Sequence, residues 1–399
     1  MFLKNTVVVG GAGHVGLPLA IMLASKGKKT VIYDISNEAV KKVSAGEMPF
    51  LEPGAEVLLR EALASGNLVA TGDPEVIRDC ENVVIVIGTP VDEHLNPDPM
   101  ALSRAIQDIS PHLRDEQLIV LRSTIFPGVT SSVEKTLRLM KLESDLAFCP
   151  ERIAEHHAIE ELVSLPQIIS GTSNRAVDRA KKLFSVLTSE MVVVSPEEAE
   201  LAKLFTNTWR YIKFAVANQF FMMANDRGLD YEAIRHAIRF NYPRAHDLPS
   251  AGFAAGPCLF KDTMQLAAYS DNKFALGHTA MLVNEGLPLY VVTQLEKKYP
   301  QLKTMNVGIL GMAFKGESDD IRSSLSYKLK KILDFKSKQV LCADPYVSRD
   351  VDPKLLDEKV VLEKSDLLII ATPHKRYREL KTNLPVVDIW NILDDGVIL

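Results

Sequence analysis

The sequence predicts an α/β protein, with two Rossmann-like doubly wound domains joined by a long central helix and a helical middle domain. Three observations carry this. β-branched runs that end in glycine, Thr6–Gly10 and Asn306–Gly311, stand near the two ends of the chain. Between them, Glu197–Asp226 runs for 30 residues without glycine or proline. The two ends also share a weak repeat. Val7–Gly11 matches Val307–Gly311, Tyr33-Asp34 matches Ala343-Asp344, and Val84–Pro90 (VIVIGTP) matches Leu367–Pro373 (LLIIATP).

In chain order, Thr6–Gly10 reads as a buried parallel strand, Val15–Ser25 as a helix and Lys29–Asp34 as a second strand. Val83–Ile87 and Leu118–Leu121 are further strands, each followed by turn residues: Gly88-Thr89-Pro90 after the first, Ser123 to Gly128 after the second. The pattern changes at Pro196. Helical character runs from Glu197 through about Arg239 and resumes from Lys261 to about Lys298, with a three-to-four-residue apolar period that points to core packing. Asn241–Gly256, rich in Pro, Gly and Ala, reads as an ordered loop. Strands return at Asn306–Leu310, Gln339–Ala343, Leu367–Ala371 and Val386–Ile389. Domain boundaries are expected at 1–195, 196–300 and 301–399.

A chain of 399 residues exceeds one ordinary domain. Its net charge of −5 argues against nucleic-acid or anionic-membrane partners. No apolar run approaches the ~20 residues of a membrane span. The start of the chain runs directly into a strand with no leader pattern, so a cytoplasmic setting is expected. Cys80, Cys149, Cys258 and Cys342 lie far apart and form no CxxC pair, which predicts neither a metal site nor a disulfide framework.

Gly11-Ala12-Gly13-His14-Val15-Gly16 is GxGxxG between a strand and a helix. The first glycine permits the turn, the second lets amides reach a pyrophosphate and the third allows close helix–strand packing. Asp34, ending the second strand 23 residues after Gly11, would bond the adenosine ribose hydroxyls and repel a 2′-phosphate, which favours NAD. Lys203 and Asn207, four residues apart, share a helix face, although an exposed lysine reads equally well there. Cys258 stands behind a Gly/Pro-rich loop and ahead of a helix, a setting that lowers a thiol pKa, while a buried inert cysteine is the ordinary alternative. Cys149 takes that ordinary reading. His156-His157 fits no zinc motif and reads as surface histidines.

Taken together these segments resemble the UDP-glucose/GDP-mannose dehydrogenase family, the nucleotide-sugar 6-dehydrogenases. The resemblance runs in order through Gly11–Gly16, Gly88-Thr89-Pro90, Arg122-Ser123-Thr124 with Pro127-Gly128, and Pro150-Glu151. It continues through Glu200, Lys203 and Asn207, Cys258 with Lys261-Asp262, Leu310–Lys315, Asp319–Arg322 and Asp344-Pro345. It implies NAD as cofactor, a UDP-sugar as substrate, dimerisation through the middle domain, and a four-electron oxidation of the C6 alcohol to the carboxylate. Cys258 would be the nucleophile, and Lys203 with Asn207 would stabilise the C6 oxyanion. Asp262, Thr124 and Glu151 would handle water and protons. By the same resemblance Gly11, Gly13, His14, Val15, Gly16, Asp34, Thr89, Pro90 and Thr124 would hold the cofactor. Glu151, Arg152, Glu155, Lys203, Asn207, Arg244, Phe253, Gly256, Lys261, Phe314, Lys315 and Arg322 would hold the sugar nucleotide.

The chain departs from the family pattern around the cysteine. Phe253-Ala254-Ala255-Gly256 keeps only the last glycine of GxGG, Pro257 precedes the cysteine, and Asn218-Gln219 replaces Asn-Glu. Cys149-Pro150-Glu151-Arg152 and Asn241-Tyr242-Pro243-Arg244 resemble the branch that oxidises UDP-N-acetylhexosamines, with Arg244 an anion clamp reaching in from a partner subunit. Ala254 and Ala255 would leave room for an acetamido group. Cys258–Asp262 is closer to the UDP-glucose branch. Two rival functions are a two-electron hydroxyacid dehydrogenase, which would lack a second Rossmann-like domain, and a non-catalytic nucleotide-sugar sensor, which would be free to lose Lys203, Asn207, Cys258 or Asp262.

Overall fold

A computed structural model describes residues 4–89, 98 and 100–394. The chain divides into two units, Met1–Thr206 and Asn207–Leu399, with the division inside one helix.

The first unit alternates strands and helices: β1 (Lys4–Val9), α1 (Gly16–Ser25), β2 (Thr30–Tyr33), α2 (Asn37–Ser44), α3 (Ala55–Ala64), β3 (Leu68–Thr71), β4 (Cys80–Ile85), α4 (Ala101–Ile109), β5 (Leu118–Leu121), α5 (Val129–Leu139), β6 (Asp145–Phe148), α6 (Ala158–Ser164), β7 (Gln167–Gly171), α7 (Asn174–Phe184) and β8 (Met191–Val193). The strand order is β3-β2-β1-β4-β5-β6-β7-β8, parallel except between β6 and β7. Val7, Val8, Val83, Val84, Ile119 and Val120 are fully buried. Both sheet faces are therefore covered, as near-continuous apolar strands predict. The order reverses direction between β1 and β4, and the loops after these strands define the crevice in which such sheets hold ligands.

The helix α8 (Pro196–Asn225) carries the chain across the division. Glu200, on its first turns, is buried and accepts bonds from the amides of Gly128 (2.6 Å) and Thr130 (2.8 Å). A carboxylate thus satisfies the N-terminus of α5, which lacks a side-chain cap of its own.

The second unit continues with α9 (Tyr231–Arg239), α10 (Leu259–Tyr269), α11 (Ala275–Lys298), β9 (Asn306–Leu310), α12 (Leu325–Lys336), β10 (Gln339–Ala343), α13 (Glu358–Lys364), β11 (Leu367–Ile370) and β12 (Val386–Asp388). Its sheet is parallel, in the order β10-β9-β11-β12. The stretch Glu197–Asp226 forms one helix as expected, and the helical character beyond it is broken twice. Gly228 takes a left-handed conformation before Asp230 caps α9, and Asp271 and Asn272 do the same between α10 and α11. The middle segment buries only a small cluster of its own, around Tyr211, Ala215 and Ala280. Ala217, Phe221, Leu287 and Val291 pack in one cluster with Val307, Ile309 and Ile369 of the sheet. Helix faces that wide need a partner, and the second sheet supplies it. Among the described residues, no helix is long and apolar enough to cross a membrane.

Candidate active site

In the first unit the glycine loop joins β1 to α1. A Cβ on Gly16 would meet Gly11 Cα at 2.7 Å, so glycine is required for close packing there, whereas Gly13 is exposed and has nothing nearer than 3.9 Å. That bare backbone is where a pyrophosphate can approach the helix N-terminus. Asp34 accepts from the amides of Ala12 (3.0 Å) and Ser36 (2.9 Å) and stays partly exposed. One amide on each oxygen leaves capacity for two ribose hydroxyls. Ile35 beside it is 87% exposed, an apolar side chain held in water at the crevice edge that sequence reading missed. Nothing in the sequence distinguishes it from a core isoleucine.

Thr89 and Thr124 come together, the Thr89 hydroxyl donating to the Thr124 carbonyl at 2.6 Å, while Pro90 falls outside the described residues. The imidazole of His14 stacks on Phe50 with ring centroids 4.0 Å apart, and its nitrogen and a Glu155 carboxylate oxygen lie within 4.8 Å. Glu151 is buried. One oxygen pairs with the fully buried guanidinium of Arg122, and the other accepts from the amides of Arg152 (2.7 Å) and Ile153 (2.9 Å). The Arg152 guanidinium turns back on its own unit to the Pro166 carbonyl. The histidine pair differs from expectation. His157 is exposed, but His156 is buried, because the Glu52 carboxylate accepts from the amides of His156 (2.8 Å) and Ala158 (2.9 Å) and draws the turn inward.

In the second unit Cys258 immediately precedes α10, with Asp262 one turn on. Asp262 is fully buried. Its Oδ2 accepts from the Asn207 amide at 2.5 Å, and the Lys261 ammonium lies 3.0 Å from Oδ1. A buried carboxylate is tolerable only with such partners. Lys203 sits half-buried one turn before Asn207 on α8. The four cysteines separate cleanly. Cys80, Cys149 and Cys342 are buried, and burial pushes each thiol up to about 12. Cys258 is exposed.

The loop before Cys258 is held from below. Asn218 pairs with Gly252 in both directions, donating to its carbonyl (3.0 Å) and accepting from its amide (2.9 Å), and also donates to Asn284 (2.9 Å). This anchor was visible in the sequence only as half of a changed dipeptide. Phe253 is 2% exposed and packs in the core. Ala254 is likewise buried, and Ala255 is half-buried. Gly256 (φ +104°) lies against Phe314, whose ring a Cβ would meet at 2.6 Å, and the Lys315 ammonium sits 5.7 Å from that ring's centre. Arg322 forks onto Asp320, Nη2 to Oδ2 at 2.6 Å. Arg244 is exposed over the ring of Tyr242.

Three family models match the chain: the NAD binding domain of the UDP-glucose/GDP-mannose dehydrogenase family over residues 5–188, its central domain over 197–286 and its UDP binding domain over 308–395. The chain belongs to the UDP-glucose/GDP-mannose dehydrogenase family. It is 33% identical over 385 residues to UDP-N-acetyl-D-mannosamine dehydrogenase of Pyrococcus horikoshii, covering 94% of this chain and 90% of that protein. The solved structure of UDP-D-ManNAc dehydrogenase from that organism superposes with a TM-score of 0.91 at 28% identity, covering 98% of this chain and 97% of the other. A UDP-glucose dehydrogenase from Pyrobaculum islandicum also gives 0.91, at 27% identity, over 98% and 94% of the two chains. This member of the family is an NAD-dependent UDP-sugar dehydrogenase. The rival hydroxyacid dehydrogenase reading falls with the match to the UDP binding domain. Two enzymes named for different sugars superpose equally well, so the backbone does not select the sugar.

Proposed function

We propose that the enzyme carries out a four-electron oxidation of the C6 alcohol of a UDP-N-acetylhexosamine, with Cys258 as nucleophile. The observation that carries the reading is the separation of the cysteines. Only Cys258 is exposed, and it sits at the head of a helix, one turn from the Asn207–Asp262–Lys261 cluster. NAD, when bound, would supply the hydride acceptor for each of the two oxidations, one NAD for each. The C6 hydroxyl loses its proton as the first hydride leaves, giving an aldehyde. The Cys258 sulfur adds to that carbon, and Lys203 with Asn207 stabilises the oxyanion of the thiohemiacetal. Loss of the second hydride leaves a thioester, and water cleaves its C–S bond to release carboxylate and thiol. Asp262, fixed by Asn207 and Lys261, takes a proton from that water, and by the family resemblance Thr124 and Glu151 share the handling of water and protons. Gly11–Gly16, Asp34, Thr89 and Thr124 hold the cofactor. Phe314, Lys315 and Arg322 hold the uridine diphosphate, and Glu155 and Arg244 contact the sugar nucleotide.

The acetamido sugar is favoured by Cys149–Arg152 and Asn241–Arg244 together with the name of the 33%-identical relative. A homodimer is favoured by the outer face of α8, where Trp209, Val216, Phe220 and Met223 form one exposed apolar stripe.

The test counts NADH per sugar over a panel of UDP-ManNAc, UDP-GlcNAc and UDP-glucose. Two NADH per acetamido sugar, and a kcat/KM for UDP-glucose lower by about 10² or more, are expected. Equal use of UDP-glucose overturns the substrate. Cys258→Ala should make no carboxylate, and near-normal acid formation by that variant removes the cysteine from the mechanism.

A further inference from the structure

The loop that follows β9, Gly311–Glu317, is not followed by a helix, since α12 begins only at Leu325. Its shape is also not one its residues prefer, because Glu317 is held at φ +58°, a left-handed conformation uncommon for a residue with a side chain. What holds it is a line of polar groups, running from two enclosed side chains out to the partly exposed Glu317, that no role above uses. Asp344, at the end of β10, has its side chain fully enclosed. Its Oδ2 accepts from the amides of Met312 (2.6 Å) and Ala313 (3.0 Å), and its Oδ1 from those of Tyr346 (2.8 Å) and Val347 (3.1 Å). His374 is also fully enclosed. Its Nδ1 accepts from the Glu317 amide (3.0 Å), so its Nε2 carries the proton and donates to Asp344 Oδ2 (3.1 Å). Glu317 closes the line, its carboxylate accepting from the Lys375 amide (2.7 Å) and the Tyr346 hydroxyl (3.1 Å).

We propose that Asp344, His374 and Glu317 are positioning residues that set the affinity for the nucleoside diphosphate, by holding the Gly311–Glu317 loop in the shape that presents Phe314 and Lys315. The proposal rests on the reading that this loop receives the uridine diphosphate. Five bonds reach this loop from the two flanking ones, two to Asp344, one to His374, and those from the Lys375 amide and the Tyr346 hydroxyl to Glu317, so loosening the relay releases the residues that meet the ligand. The chemistry at Cys258 draws on none of these bonds. The relay therefore acts on binding and leaves the bound complex to react normally.

The experiment measures calorimetric binding of UDP, and KM and kcat for the UDP-sugar, in the intact enzyme. His374→Phe keeps the ring volume and removes both bonds. It should raise Kd for UDP and KM for the sugar nucleotide tenfold or more, with kcat at saturation and Kd for NAD within twofold. His374→Gln, which retains a donor toward Asp344, should recover part of the affinity. Tyr346→Phe removes one peripheral bond without threatening the fold and should raise both constants two- to fivefold, so it decides the matter should His374→Phe not fold. A clamp that only stabilises the unit would lower Tm and the active fraction with Kd unchanged, and that result overturns the proposal. Wild-type enzyme that does not bind UDP would instead overturn the reading of the loop itself, and the relay with it.

Discussion

Asp34 and Asp344 occupy the same place in two similar sheets and are used in opposite ways. Each follows a strand paired in parallel with a strand that leads into a glycine turn, with Val9 opposite Tyr33 in one sheet and Leu310 opposite Ala343 in the other. Asp34 accepts two amide bonds and remains open. Asp344 accepts four amide bonds and one from His374, and is closed. The difference follows from what comes after the glycine. Beyond Gly11, α1 starts at Gly16 and orders its own turn. Beyond Gly311 there is no helix until Leu325, so the intervening loop takes its order from side chains. A carboxylate has a limited number of acceptor sites, and those given to the protein's own amides are not available to a ribose.

The widest gap between the two should appear in stability. Asp344→Ala strips partners from five buried donors and should cost about 3–5 kcal/mol in urea unfolding, the scale for breaking a buried charged cluster. Asp34→Ala should cost under about 1 kcal/mol, as for a partly exposed site away from the core. Equal costs would break the comparison. Function should show the reverse order. Asp34→Ala should lower kcat/KM for NAD by about 10- to 100-fold through the loss of charge-assisted bonds to the ribose, and reduce the preference for NAD over NADP. Faster turnover of NADP by the unmodified enzyme would refute this placement of Asp34.

Acid sharpens the contrast further. Burial alone would raise the Asp344 carboxyl, but the bonds from His374 and from the Ala313 and Tyr346 amides outweigh it and hold the group below its ordinary value. A depressed folded-state value stabilises fully above the unfolded value of about 3.9, and that stabilisation is lost as pH falls through the folded value. The difference in urea midpoint between wild type and Asp344→Ala should therefore be wide at pH 7 and shrink below about pH 4. The smallest effect is expected beside Asp34. Ile35→Ser should leave stability within about 0.5 kcal/mol, since the side chain is already in water. It should weaken NAD two- to fivefold by removing apolar surface on which an adenine can lie. An unchanged Kd would show that the exposed isoleucine serves some other purpose.

Strands were read well where short apolar runs were bounded by turn or polar residues. Leu118–Leu121, Asn306–Leu310 and Gln339–Ala343 form with the expected ends. The helix breaks at Gly228 and at Asp271-Asn272 were less sharply legible, because a periodic apolar pattern continues across one or two left-handed residues. Glu200, Asn218 and Glu52 were legible as residues but not as anchors. A carboxylate or amide that satisfies a distant backbone has no local pattern.

The sequence by itself determined the two glycine-ended strands, the acid at the end of each following strand, the helical middle, and the order of the residues that carry the chemistry. These are local properties of periodicity and turn chemistry, and they survive without knowledge of what lies opposite. Which acid stays open, which histidine is buried, which cysteine faces solvent, and which sheet covers the middle helices were decided only in three dimensions. Each of those depends on the partner a group meets: four amides for Asp344, Glu52 for the turn at His156, the core around Cys149. Such partners are far away in the chain, and burial and hydrogen bonding act only once folding has brought them together.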